Sequence, residues 1–161
     1  MHDYLHFELK YIIQLLMAFI CGIIVGVERQ LKGKPVGIRT SILICIGTSV
    51  FVSLGQQGSG GNIDSSRVLG QIVTGVGFLG AGVMMNKDGK FIGVTSAAVI
   101  WILAAAGACI GYQEYLRALL LSFSTVAILV GVERLEKFSA RFTRGIYQYM
   151  QRDLTKINRD E

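Results

Sequence analysis

Residues 74–82 read TGVGFLGAG, and the hexapeptide GVGFLG at 75–80 has the spacing GxGxxG. After a strand and at the start of a helix, that spacing lets backbone amides approach the pyrophosphate of a dinucleotide. The chemistry also needs a crossover helix and an acidic residue about 20 positions on, to hold the ribose. Here the position twenty after Gly75 is Thr95, and only residues 81–85 separate the motif from the turn-like NKDG at 86–89. No crossover helix fits in that space, so the spacing is not read as a nucleotide site. There is no P-loop, and His2 and His6 both lie in the N-terminal segment, away from any candidate nucleophile. An enzyme is therefore not expected.

Charged and amide side chains at the edges of apolar runs offer a second kind of chemistry. Glu28 and Arg29 end one run, and Arg39 begins the next after the loop QLKGKPVGIRT. An acid near hydrocarbon is costly unless paired, so these three are expected to form an ion-paired cluster, with Lys32 and Lys34 as ordinary interfacial anchors. Asp64 and Arg67 follow the run QQGSGGN and precede Gln71 and Thr74. A carboxylate beside an amide suits a hard cation such as magnesium, which makes Asp64 the candidate metal ligand. So few oxygens need water or other subunits to complete a site, and no bound cofactor is expected, magnesium being at most a ligand.

The elements that position these residues follow from composition. Of the 161 residues 52% are hydrophobic and only 17% are charged, with a single proline. Uncharged runs occupy 11–27, 40–55, 68–85, 91–113 and 118–132, each supplying most of the roughly 20 residues a helix needs to cross a bilayer. The fold class expected is all-α, a polytopic membrane bundle of about five transmembrane helices plus a C-terminal amphipathic helix. It divides into a transmembrane domain at 1–132 and a basic tail at 133–161. Thirteen Lys and Arg fall in the segments after the first, third and fifth spans, against Lys10, Arg67 and Arg117 in the opposite set. That bias places the N-terminus outside and the C-terminus in the cytoplasm. In the tail Leu135, Phe138, Phe142, Ile146 and Tyr149 recur at helical spacing among Lys137, Arg141, Arg144 and Arg152, a pattern for a helix lying on the membrane surface or, equally, for a solvated charged helix. Cys21, Cys45 and Cys109 all lie in predicted spans and are read as packing residues.

Read as a helix, the third span aligns Gly70, Thr74, Gly77 and Ala81 in a stripe with almost no side chain. Such stripes let helices approach closely in lipid. The third span is accordingly expected to be central, packed on Ala97, Ala98, Ala104, Ala105, Ala108 and the Gly107/Gly111 pair of the fourth, with Gln71 and Thr74 buried on the same side. The tetrapeptide GVER recurs at 26–29 and 131–134, too short a likeness to carry an internal repeat.

Four pieces in this order, GVERQ (26–30), GIRT (37–40), DSSRVLGQIVTGVGFLGAGVM (64–84) and VTSAAVIW (94–101), resemble the MgtC/SapB family of bacterial inner-membrane proteins over roughly residues 10–130. The resemblance implies a small helical membrane bundle with a role in adaptation to low magnesium, acid or intracellular stress. The best-described member looks like a virulence factor that restrains the F-type ATP synthase, and is not a magnesium pump. Carried over by position, the residues most like the family's are Glu28, Arg29, Gly37, Arg39, Thr40, Asp64, Arg67, Gln71, Gly75, Gly77, Gly80, Gly82, Thr95 and Trp101. The chain departs from longer members, which carry a soluble C-terminal domain where this sequence has its basic tail.

Two functions compete. The first is a regulator that docks on another membrane complex, such as an ATP synthase or ion transporter, through its helix faces. Its ligand- or partner-binding residues are Glu28, Arg29, Arg39, Asp64, Arg67, Gln71, Thr74 and Thr95, and its packing residues are Gly70, Gly75, Gly77, Gly80, Ala81, Gly82 and Trp101. The second is an oligomeric transporter or channel for a cation such as magnesium or another small solute, lined by Gln71, Thr74 and carbonyls bared by glycines. The scarcity of ionisable residues inside the spans favours the first. The expected partners are the bilayer, a second copy of the chain as a homodimer, and another membrane protein complex; nucleic acid is not expected.

Overall fold

The computed structural model describes residues 2–57, 65–87 and 90–138. Five helices follow one another: α1 (His2–Leu31), α2 (Ile38–Gln57), α3 (Ser65–Val83), α4 (Val94–Gly111) and α5 (Tyr115–Phe138). Between α3 and α4 the chain makes a small antiparallel hairpin of β1 (Met85–Lys87) and β2 (Lys90–Ile92), with Met85 opposite Ile92. The chain divides into two compact units, Met1–Val126 and Ala127–Glu161; the described part of the second is the end of α5. Asp64 and the tail residues Phe142, Ile146 and Tyr149 lie outside the described residues.

The bundle is that of a membrane protein. Glu8–Leu31, Ile38–Gln56, Val94–Gly111 and Tyr115–Leu135 are each long and apolar enough to cross a bilayer, and α3 adds the shorter apolar stretch Arg67–Val83. With a rise of about 1.5 Å per residue, the 19 residues of α3 reach roughly 28 Å, close to the hydrocarbon thickness. In lipid every polar group needs a partner inside the protein. The hydroxyls meet this demand by bonding back to their own helix: Ser53 to the Ser49 carbonyl at 3.0 Å, Ser122 to Ala118 at 2.9 Å and Thr125 to Leu121 at 2.7 Å.

Glycines set the packing. A Cβ on Gly22 would lie 2.5 Å from the Ile42 Cα, and one on Gly26 would lie 2.6 Å from the Ile38 Cα, so α1 and α2 touch backbone to backbone. On the other side of α2, a Cβ on Gly107 would meet the Cys45 carbonyl at 2.7 Å, and one on Gly111 the Ser49 carbonyl at 2.7 Å. Small residues let helices come this close where hydrophobic drive is absent. The core is built from Ile100, Leu103 and Ile110 of α4 against Cys21 and Val25 of α1 and Cys45 of α2, all nearly inaccessible. The cysteines are free, as expected of packing residues, and the Cys45 thiol reaches the Leu103 carbonyl at 3.5 Å.

Helices α2 and α4 pack on each other and each on α1 and α3, and α4 is the more buried, so the centre of the bundle is α2 and α4; this corrects the expectation that the third span is central. The reason lies in α4's composition: apolar all round, with alanines and glycines on several faces, it can receive three neighbours. Its Gly107/Gly111 pair receives α2, not α3. Helix α3 touches α4 through Gly80, where a Cβ would meet that of Ala97 at 3.6 Å, and touches α2 near Gly55 and Val68. Gly70, Thr74, Gly77 and Ala81 are exposed on the opposite side of α3, and nothing lies within 4 Å of a Cβ built on Gly70 or Gly77. Gln71 and Thr74, expected to be buried, are exposed too, and the Thr74 hydroxyl bonds back to the Gly70 carbonyl at 3.0 Å.

Candidate functional site

The most elaborate polar structure forms where α1 ends, α2 begins and α4 begins. Helix α1 stops because the chain turns left-handed: Gly33 has φ 59° and Val36 has φ 67°. The amides of Lys32, Gly33 and Lys34 close the last turn on the carbonyls of Glu28, Gln30 and Arg29. The Gln30 side-chain oxygen then accepts the Ile38 amide at 3.3 Å, capping α2, and lies 3.2 Å from where a Cβ on Gly37 would sit. Ser41 donates to the Val36 carbonyl at 3.2 Å. The GVERQ and GIRT pieces are thus one joint: Gln30 reaches the first amide of α2, and Gly37 leaves it room.

This joint buries Glu28 and Arg29, which are 7% and 4% exposed. The Lys32 ammonium lies 2.9 Å from one Glu28 oxygen as an ion pair, and an Arg29 nitrogen lies 3.8 Å from the other. The same guanidinium donates to the Ser96 hydroxyl at 2.7 Å, tying α1 to the first turn of α4. Neither Glu28 oxygen accepts a well-directed hydrogen bond, and Arg29 Nε donates none. The buried acid and its two cations all lie at the end of α1; what ties α1 to its neighbours is the Arg29 bond to Ser96 of α4 and the Gln30 cap on α2.

The structure brings together only part of the expected set. Glu28 and Arg29 pair as expected, but Arg39, one residue after the capped Ile38, is exposed and joins no ion pair among the described residues. Lys32, read from the sequence as an interfacial anchor, is instead the cation closest to Glu28. Ser96 and Gln30 were missed; each is adjacent to a residue that was singled out, Thr95 and Arg29, and Thr95 itself is exposed. Arg67 is exposed as well. Among the described residues no three His, Cys, Asp or Glu side chains gather as metal ligands.

Gln71 and Gly75 instead line a groove of about 710 Å³ between α2 and α3, whose other walls include Leu43, Gly47, Thr48 and Phe51. The two helices touch at Gly55 and Val68, and α3 leans on α4 at Gly80. The groove occupies the wedge between these contacts. Gly82 and Trp101 are exposed, Trp101 by 51%.

Comparison with known proteins agrees with this architecture. The family model of the MgtC family matches residues 15–138. "Putative magnesium transporter YhiD" of Escherichia coli (strain K12) is 39% identical over 128 residues, covering 74% of this chain and 59% of that protein. "Protein SrpB" of Synechococcus elongatus is 35% identical over 139 residues, covering 78% and 76%. "Protein MgtC" of Salmonella typhimurium (strain LT2) is 37% identical over 109 residues, covering 68% and 46%. The chain thus spans about half to three-quarters of the length of these relatives. No solved structure matches it. The match runs from α1 through α5 and includes the Glu28–Arg29 joint and the glycine-rich α3, so this chain belongs to the MgtC family.

Proposed function

We propose that the protein is a regulator in the bacterial inner membrane, N-terminus outside and C-terminus in the cytoplasm, that docks on another membrane complex through α3 during adaptation to low magnesium or a related stress. The magnesium link rests on the names of its relatives, MgtC and a putative magnesium transporter. The observation that carries the docking reading is the outward face of α3. Gly70, Thr74, Gly77 and Ala81 form a shallow exposed ridge, the surface another transmembrane helix needs for close approach, and among the described residues nothing lies within 4 Å of a Cβ built on Gly70 or Gly77. A charged side chain at mid-depth, usual in an ion or proton path, is missing from the described spans; Glu28 and Arg29 sit at a helix end. The Arg29–Ser96 and Gln30–Ile38 bonds hold α1 to α4 and α2 while α3 engages the partner.

A transporter is the second reading, favoured by the groove in which Thr40, Thr48 and Gln71 are the polar groups of an otherwise apolar wall. One pair of experiments separates the two. A photo-crosslinker at Thr74, in cells grown with limiting magnesium, is expected to trap one discrete membrane protein. The same probe at Leu120, exposed on α5, does not trap it, and Gly77→Leu abolishes the adduct. Purified protein in liposomes is expected to pass no magnesium. Magnesium flux that disappears on Gln71→Leu, with no specific adduct at Thr74, overturns the regulator and supports the transporter.

A further inference from the structure

The opposite end of the bundle from Glu28 holds a second polar structure. A cavity of about 230 Å³ is lined by Lys10, Tyr11 and Gln14 of α1, Ser53 and Gln56 of α2, and Gly111 and Gln113 at the end of α4. Lys10 and Tyr11 alone would be ordinary interface anchors, a snorkelling cation and an aromatic. The residues beneath them have no such excuse. Gln14 is one helical turn deeper than Lys10 and only 7% exposed, and amides placed there need partners because no water reaches the bilayer core.

The floor is built to be rigid. Gln14 donates to the Ser53 hydroxyl at 3.0 Å, and Ser53 is itself tied to the Ser49 and Val50 carbonyls. Gln56 donates to the Gly111 carbonyl at 2.8 Å, joining α2 to the end of α4. Gly111 admits no side chain, since a Cβ would meet Val52 at 2.6 Å. Gln113 is held left-handed at φ 63°, its amide bonded to the Ile110 carbonyl at 2.9 Å.

The rim is rich in donors, and among the described residues no acid lines it. Lys10, Tyr11 and the amide-bearing Gln14, Gln56 and Gln113 line a space with room for roughly seven waters. Glu114 does not line it and is taken by Arg117 at 3.5 Å; Glu8, two residues before Lys10 on α1, does not line it either. One unbalanced cation among neutral donors selects an anionic oxygen ligand over a metal ion.

We infer that this cavity binds a phosphate group, either the phosphodiester of a phospholipid in the leaflet at that end or free phosphate. The Lys10 ammonium meets the charge, and Tyr11 and Gln113 donate to the oxygens. Binding there ties α1, α2 and the α4–α5 turn together on the face away from the ion-paired joint.

The test is calorimetric titration of the purified full chain in a nonionic detergent with three probes: inorganic phosphate, dihexanoylphosphatidylglycerol, and the uncharged dihexanoylglycerol. Saturable binding of the phosphate-bearing probes but not of dihexanoylglycerol is expected. Lys10→Gln weakens it about tenfold or more, as for loss of a charge-assisted contact, and Tyr11→Phe weakens it severalfold while retaining the ring. Lys34→Gln, the same charge change at an exposed site on the other end, leaves it unaltered. Binding of inorganic phosphate alone identifies a soluble anion as the ligand, and binding of the lipid alone identifies the headgroup. Equal binding of the uncharged lipid, an equal loss in Lys34→Gln, no saturable binding of either phosphate probe, or unchanged affinity in both folded Lys10→Gln and Tyr11→Phe overturns the assignment.

Discussion

Gly107 and Gly77 are both glycines in apolar helices, and the same substitution should move stability in opposite directions at the two. At Gly107 a new methyl would sit 2.7 Å from the Cys45 carbonyl oxygen and 2.8 Å from the Thr48 Cβ, some 0.7 Å inside ordinary contact. The carbonyl belongs to the α2 backbone and cannot rotate aside, so α2 and α4 must separate, loosening the Cys45 thiol contact to Leu103. Overpacking of this kind costs about 1–3 kcal/mol, partly offset by about 1 kcal/mol of better helix propensity for Ala. With two neighbours overlapped, Gly107→Ala is expected to lose roughly 1–2 kcal/mol. At Gly77 nothing lies within 4 Å, so only the propensity remains and Gly77→Ala gains up to about 1 kcal/mol. The predicted gap of about 2–3 kcal/mol is a factor of roughly 30 or more in the folded ratio. Unfolding by dodecyl sulfate in mixed micelles, followed by emission of the single tryptophan, Trp101, measures it, with the chain dilute enough to be monomeric. Coincident curves for the two variants, or a loss of stability in monomeric Gly77→Ala, would refute the packing described for α2, α3 and α4.

Two further outcomes follow from other parts of the structure. In the same assay Arg29→Leu leaves buried Glu28 with Lys32 as its cation and is expected to cost about 3–5 kcal/mol, Ser96→Ala about 1.5–3 kcal/mol, and exposed Thr95→Ala within about 0.5 kcal/mol of wild type; equal effects of Ser96→Ala and Thr95→Ala would contradict the joint. Gly93→Ala places a Cβ against the Val83 carbonyl at φ 94°, a strain of about 1–3 kcal/mol before any overlap, so it should disorder the turn into α4 and sharply raise protease cleavage at the hairpin, which wild-type cleavage rates would disprove.

The helices were legible in the sequence because hydropathy is a local property: runs without charge have one structural outcome in lipid, and the apolar runs predicted correspond to α1–α5. The Glu28–Arg29 pair was legible for a related reason, since an acid at the edge of hydrocarbon needs a partner. Which glycine meets which helix was not legible. Gly107 and Gly77 look alike in sequence, and only the shape of the opposing helix decides that one is filled and the other bare. The stripe on α3 was therefore wrongly matched to the Gly107/Gly111 pair of α4, which α2 takes, while α3 meets Ala97 through Gly80 instead. Ser96 and Gln30 escaped for the complementary reason. Their partners lie 67 and 8 residues away, and no periodicity links a serine at the start of one span to an arginine at the end of another.

The distribution of glycine also bears on what α3 is for. Gly22, Gly26, Gly107 and Gly111 each give up helix propensity and receive a backbone contact in return. Gly70, Gly75, Gly77 and Gly82, all on α3, give up the same propensity and receive no such contact from the described residues. At about 1 kcal/mol each relative to Ala, four such residues cost α3 roughly 4 kcal/mol, a large share of the stability of a small domain. Helix α3 also has the shortest apolar stretch, Arg67–Val83, and leaves much of its surface uncovered. A helix so weakened, with one face on α2 and α4 and the opposite face bare, is suited to receive its missing contacts from another polypeptide in the membrane. On that argument, filling the ridge with Ala should stabilise the isolated chain and impair its activity in cells, and a set of Gly→Ala variants on α3 that raised both together would remove the reason for reading the ridge as a docking face.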